Sequence, residues 1–271
     1  DIKDDLAGTV KLIFQPAEEG VRGAKAMMVK GIVDDVDYML GFHLGTSLRR
    51  LGQISCDAGG FLATTKLDAI FKGKPSHAGL APEIGKNALL AAATGLLNLH
   101  AIPRHGQGTS RINVGILQGG AGRNVVPANA ILKLETRGIT SEINDYMYRE
   151  AVRILEGAAL MHDVEVFLKQ MGSAASANSD YALSQKAQAV AKELELFDEF
   201  LPKVDLGGSE DMAYFMSRVQ GNSGQAAYTL IGTELAAGHH ESNFDFNEAA
   251  LYLGVSYATS VTSRLLMENS V

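Results

Sequence analysis

The sequence predicts an α/β protein in two parts: a mixed or parallel sheet whose chain is interrupted by a compact antiparallel unit with helices on one face. Three observations carry this reading. Residues 9–43 run strand, helix, strand, the order of a parallel pair joined by a crossover. From about Leu62 the pattern changes to alternating strands and two helices in the order β-α-β-β-α-β, a known compact unit. After "GSAASANS", a small-residue linker with turn character, mixed α/β patterning resumes. The expected organisation is therefore a main domain formed by residues 1–60 and 173–271, with residues 61–172 inserted between them.

Each element follows from local pattern. "TVKLIFQ", residues 9–15, is a short apolar run rich in branched side chains and bounded by Gly8 and Pro16, which predicts a buried strand. "VRGAKAMMVKG" sets Ala24, Met27 and Met28 at helical spacing and closes at Gly31, the residue type common just past a helix end. "VDYMLGFHLG" predicts a second strand ending near His43. In the inserted part, "FLATTKLDAIFKGKP" alternates as a strand, and "GKNALLAAATGLLNLHAI" is an Ala- and Leu-rich helix ending before Pro103. "SRINVGILQGG" and "NAILKLETRG" are strands separated by a Gly-rich connection around residues 119–128. A helix over about 141–159 and the strand "DVEVFLKQ" complete the unit. Beyond the linker come a helix over about 180–195, a core strand "AAYTLIG" and a long amphipathic helix from Asn247 onward.

Bulk properties exclude several classes of function. With 271 residues and 46% hydrophobic content the chain can bury a sizeable core. A net charge of -7 without clustered Lys and Arg argues against a nucleic-acid footprint. No apolar run approaches the roughly 20 residues that span a bilayer, and no signal-peptide layout opens the sequence. A single cysteine, Cys56, excludes an internal disulfide and fits a reducing compartment, so the cytoplasm is the expected location.

The candidate chemistry lies at strand ends. Glu18 and Glu19 follow the first expected strand and Pro16, where an open α/β sheet collects its ligands. On a solvated helix start they would merely complement the macrodipole. At a sheet rim, one carboxylate could bind a metal while its neighbour handles a proton. His43 sits in an apolar strand end between glycines, either as a satisfied core imidazole or as a ligand. His239 and His240 follow a core strand and a glycine, and at least one should face the same crevice. His100, His105 and His162 lie at helix ends or polar turns and need no special role. Carboxylate plus imidazole is the donor set of hydrolytic zinc or manganese sites.

With those residues in view, the sequence resembles the M20 metallopeptidase family in its amidohydrolase branch. "LIFQPAEEG", "GFHLG", "GKPSHAG", "GRNVVPANA", "GGSEDMAYF" and "GHHESNFDFNE" match that branch in order along essentially the whole chain. Within it, "RINVGILQGGAGRNVVPANAILKLETRG" and "LAAGHHESNFDFNE" look most like the aminobenzoyl-glutamate hydrolases. The resemblance implies a zinc-peptidase-like catalytic domain with an inserted ferredoxin-like lid that also dimerises, and a site of two divalent ions, Zn or Mn.

It further implies that Glu18 is the general base and that Glu19, His43 and His240 are metal ligands. His77 in "SHAG" would reach a neighbouring protomer's site and polarise the scissile carbonyl. Asn124 and Arg137 would orient the substrate, Arg137 through its planar donor fork, and Ser209 would contribute to the pocket. Glu210 and Asp211 would either act there or stabilise their turn. The implied reaction is hydrolysis of the amide between an acyl or aroyl group and an amino acid such as glutamate. The implied assembly is a homodimer through the inserted unit, whose open sheet has edges to pair, or a heteromer with a related second subunit. Family members also carry an earlier Cys-Gly-His-Asp type ligand motif that nothing here matches. The expectation is therefore that these 271 residues alone are metal-poor and inactive. The competing reading is a non-catalytic binding or assembly subunit that uses the inserted unit for association.

Overall fold

The computed structural model describes residues 6–45, 47–238 and 241–268. In chain order the elements are α1 (Gly23–Val29), β1 (Tyr38–Leu44), β2 (Gln53–Ser55), β3 (Ala58–Gly59), β4 (Ala63–Lys72), α2 (Ala88–Leu99) and β5 (Ser110–Gly119). They continue as β6 (Asn129–Gly138), α3 (Ser141–Met161), β7 (Glu165–Ala174), α4 (Tyr181–Glu193), β8 (Glu199–Phe200), β9 (Val204–Asp205), α5 (Ala213–Gly221), β10 (Gln225–Ile231) and α6 (Ala249–Glu268). The protein is mixed α/β, with parallel and antiparallel sheets.

One sheet has the order β1-β10-β2-β8, with β1 parallel to β10 and β10 antiparallel to β2. Successive residues of β10 alternate between two cores, as a strand period of two requires. Ala226, Tyr228 and Leu230 pack with Ala24 of α1 and with Ala213, Phe215, Met216 and Val219 of α5. Ala227 and Ile231 pack with Leu183 and Ala187 of α4 and Tyr257 and Val261 of α6. The sheet is thus covered on both faces, which explains why "AAYTLIG" is continuously apolar rather than alternating.

A second sheet has the order β5-β6-β4-β7, antiparallel throughout. Only one of its faces is covered. Leu67, Ala69 and Phe71 of β4 and Leu132 and Leu134 of β6 pack on Ala91, Ala92 and Leu99 of α2 and on Met147, Ala151 and Leu155 of α3. Polar side chains such as Lys66 and Glu135 occupy the other face, in mutual register. Both helices begin with a side-chain cap: Asn87 accepts from Leu90 N, and Thr140 accepts from Ile143 N.

The expected strand at residues 9–15 is not formed. The segment joins no ladder among the described residues, with Leu12 78% and Phe14 86% exposed. An extended segment becomes a strand only when a ladder partner and a packing layer meet it. Here β1 is parallel to β10 instead of to residues 9–15. The pieces β2, β3, β8 and β9, two or three residues each, carry no period of their own and do not announce themselves in the sequence.

Candidate hydrolytic site

Pro16 and two left-handed residues shape the acidic turn. Glu18–Gly20 is a single 3₁₀ turn between Ala17 (φ 54°) and Val21 (φ 48°), closed by Val21 N donating to Glu18 O at 2.6 Å. The turn is pinned from the second sheet. Lys66 Nζ of β4 donates to Glu19 O at 2.9 Å, and Ser173 N of β7 donates to Val21 O at 3.1 Å. A β-bulge at Met171, opposite the Lys66/Leu67 step, bends β7 toward the turn, and Gly172 lies against the Gly20 carbonyl.

Beyond the turn opens a cleft of about 630 Å³, lined by Glu18, Glu19, His43, Lys66, Arg137, Ser209, Glu210 and Phe244 among others. His43 arrives at the carboxyl end of β1, where ligands of such sheets gather. Its Nδ1 lies 2.5 Å from Leu44 O. With Nδ1 donating to that carbonyl, the acceptor lone pair of the ring is on Nε2, the tautomer a metal-binding imidazole requires. Arg137 is held by Glu135, with Nε at 2.9 Å from Oε1. The Ser209 hydroxyl is buried without a hydrogen-bond partner among the described residues, although it belongs to a residue of the cleft wall.

Beneath Glu18 lie two further carboxylates. Glu18, Glu210 and Asp211 present oxygens within 4.8 Å of one another. The lower two are already satisfied. Glu210 accepts from Tyr228 Oη at 2.9 Å, Met212 N at 3.0 Å and Gln15 Nε2 at 3.1 Å. Asp211 accepts from Ala24 N at 2.9 Å and from Gln15. They therefore act as a buried hydrogen-bonded anchor that ties α1, α5 and β10 together. Burial raises the Asp211 carboxyl above its usual range, and burial with Glu210 beside it raises the Tyr228 phenol well above its own.

Glu18 feels this environment directly. Burial, then the charges of Glu210, Glu19 and Asp211, push its pKa up to about 7, with Lys66 opposing. A raised carboxyl pKa means that the folded chain holds a proton the unfolded chain has lost between about pH 4.5 and 7, so stability falls as pH rises through that window. For the half-exposed group, solvent screening reduces the penalty to about 1 kcal/mol. Metal-free Glu18→Gln protein should accordingly melt a few degrees higher than the unsubstituted protein at pH 8, with no difference below pH 4.5; thermal melts at both pH values check this. A lower melting temperature at pH 8 would contradict the electrostatic account.

The donor chemistry fits a divalent cation: concentrated negative charge, one carboxylate from the turn, and an oriented imidazole at the strand end. Glu18, Glu19, His43, Arg137 and Ser209 share the cleft. His77 and Asn124 do not line it. They stand together in the connections that follow β4 and β5, where His77 bridges to Val125 and Asn124 O accepts from Ala78 N at 2.9 Å. His77 is exposed, and its Nδ1 accepts from Gly79 N at 3.1 Å. His240, like His239, lies outside the described residues. Lys66 escapes the sequence reading; the alternation of "ATTKLDAIFK" puts it on the open sheet face, but nothing local shows that this face meets the acidic turn. Among the described residues no helix is long and apolar enough to cross a membrane.

The chain is 48% identical to a p-aminobenzoyl-glutamate hydrolase subunit of Escherichia coli (strain K12), over 92% of this chain and 57% of that protein. It is 47% identical to indole-3-acetyl-aspartic acid hydrolase of Enterobacter agglomerans, over 93% of this chain and 58% of the relative. Among solved structures, the aminobenzoyl-glutamate utilization protein from Klebsiella pneumoniae superposes with a TM-score of 0.88 at 41% identity, covering 97% of this chain and 63% of that one. The chain thus spans less than two thirds of the length of these relatives. The model of peptidase family M20/M25/M40 matches residues 1–264, and the chain belongs to that family.

Proposed function

We propose that the protein hydrolyses the amide bond between an acyl or aroyl group and an amino acid, with p-aminobenzoyl-glutamate as the type substrate. The observation that carries this reading is one cleft holding Glu18, Glu19 and His43 at a sheet rim, with Arg137 and Ser209 facing them. Glu19 and His43, joined by His240, would hold divalent metal, Zn or Mn, in a two-ion site. Such ions, when bound, polarise a carbonyl and acidify water.

The chain's own groups do the rest. Glu18, with a pKa near neutrality, takes the proton from the attacking water and returns it to the departing amine nitrogen. Arg137 offers its guanidinium to the carboxylate of the amino-acid half, and Ser209 contributes to the wall of the substrate pocket. Residues 61–172 serve as an inserted lid and dimerisation domain between catalytic segments 1–60 and 173–271. His77, exposed and away from its own cleft, then serves the site of a second copy or of a related second subunit, steadying the oxyanion.

The natural protein, supplied with Mn²⁺ or Zn²⁺, should release glutamate from p-aminobenzoyl-glutamate. A chelator should abolish the release and added metal should restore it. Failure to hydrolyse any aroyl or acyl amino acid in the metal-loaded state would sink the reading.

A further inference from the structure

A second cavity, of about 510 Å³, adjoins the cleft and shares one wall residue with it, Arg137. Its wall also carries Arg111, Glu135 and Asp205, with apolar surface from Leu62 and Ile139. Arg111 and Arg137 are register partners across β5 and β6, so their side chains leave the same face of the sheet. That is the open face, because Ile112, the next residue along β5, is buried against the helices.

Like charges placed directly opposite on neighbouring strands destabilise a sheet, and the fold answers only one of these two. Arg137 is neutralised by Glu135, at 2.9 Å. Arg111 donates to the carbonyl of its own neighbour, Ser110, at 2.9 Å, and forms no ion pair among the described residues. Asp205, exposed on the same wall, forms none either. The cavity therefore presents a guanidinium without a bonded carboxylate beside one that also faces the reaction cleft.

The spacing selects a ligand. Cross-strand partners stand about 5 Å apart at Cβ. The two carboxylate carbons of a glutamate are joined by four C–C bonds of about 1.5 Å each, a span of at most about 5 Å. We propose that Arg111 and Arg137 form a dicarboxylate-reading subsite, in which Arg137 takes the α-carboxylate of the amino-acid half and Arg111 its side-chain carboxylate. This rests on the amide-hydrolase reading and adds to it a residue that selects acidic amino acids. A planar donor fork matches a carboxylate in two parallel hydrogen bonds, so Lys at position 111 would serve less well.

The test is a ratio. In the metal-loaded natural protein, kcat/KM is measured for N-benzoyl-glutamate and N-benzoyl-glutamine, which differ only in the charge of the side-chain end. Arg111→Gln should lower the glutamate-to-glutamine ratio by about 10- to 100-fold, and Arg111→Lys should fall between. The glutamine arm also reports folding. Equal losses on both compounds, or an unchanged ratio, would overturn the subsite. If the unsubstituted protein turns over neither compound, the hydrolase reading fails separately, and equilibrium binding of the same pair decides the subsite. Tighter binding of the glutamate compound, lost in Arg111→Gln, supports it; equal binding by the unsubstituted protein refutes it.

Discussion

Exchange of Glu18 for Gln should lower kcat by about 10²- to 10⁴-fold, the usual worth of a positioned general base, while bound divalent metal stays at the unsubstituted level. The amide keeps the size and most of the shape of the carboxylate but cannot accept and return a proton. Burial, and then the charges of Glu210, Glu19 and Asp211, hold the Glu18 pKa at about 7, so the group can exchange a proton in either direction at neutral pH. A cation in the cleft would pull that pKa down again through attraction for the ionised form. Both effects act on Glu18 and neither requires it as a ligand. The measurement is therefore double: steady-state turnover of an aroyl-glutamate, and metal content per chain by elemental analysis. Metal loss in proportion to activity would make Glu18 a ligand and remove it as the base.

What was legible in the sequence was mostly what a short stretch of chain determines by itself. Pro16 and the adjacent glutamates marked the acidic turn, and "GFHLG" placed His43 at the end of a strand, because a strand's apolar run and its terminus are local properties. The alternation in residues 63–72 and 129–138 likewise fixed which side chains of β4 and β6 enter a core. Misreadings arose where an outcome depends on partners distant in sequence. Residues 9–15 have the composition of a buried strand, yet Leu12 and Phe14 stay exposed and no ladder forms among the described residues. Lys66 and Ser173 hold the Glu18–Gly20 turn across 47 and 152 positions of chain, and no local period encodes that. Arg111 is hidden for the same reason: as one letter in "SRINVG" it is an exposed strand residue, and only the register with Arg137 gives it a neighbour of like charge.

Placing a valine at Gly172 should cost about 10²-fold in kcat per folded chain. A Cβ at this position would stand 2.2 Å from the carbonyl oxygen of Gly20, where ordinary contact begins at 3.4 Å, so backbone must yield by about an ångström. The strand is the stiffer partner. β7 is laddered to β4 along its length, and Val166 and Leu168 anchor it to the helix-side core. The turn is one 3₁₀ loop with two left-handed residues, docked through the Lys66 and Ser173 hydrogen bonds. The turn therefore moves, carrying Glu18 and Glu19 with it. A displacement of about 1 Å is enough to lose about two orders of magnitude where a proton acceptor must meet a reacting atom. Gly172 is buried beside Val21, so the substitution should also lower the melting temperature, and the loss of kcat is read per folded chain at a temperature well below that melt. Gly172→Ala should show the same defect, since the clash begins at Cβ, and Gly172→Val should add to it through contact with Val21 and Arg22. Full activity in Gly172→Val would mean that the second sheet does not set the position of the Glu18–Gly20 turn, and that its approach to Gly20 is incidental to the chemistry proposed there.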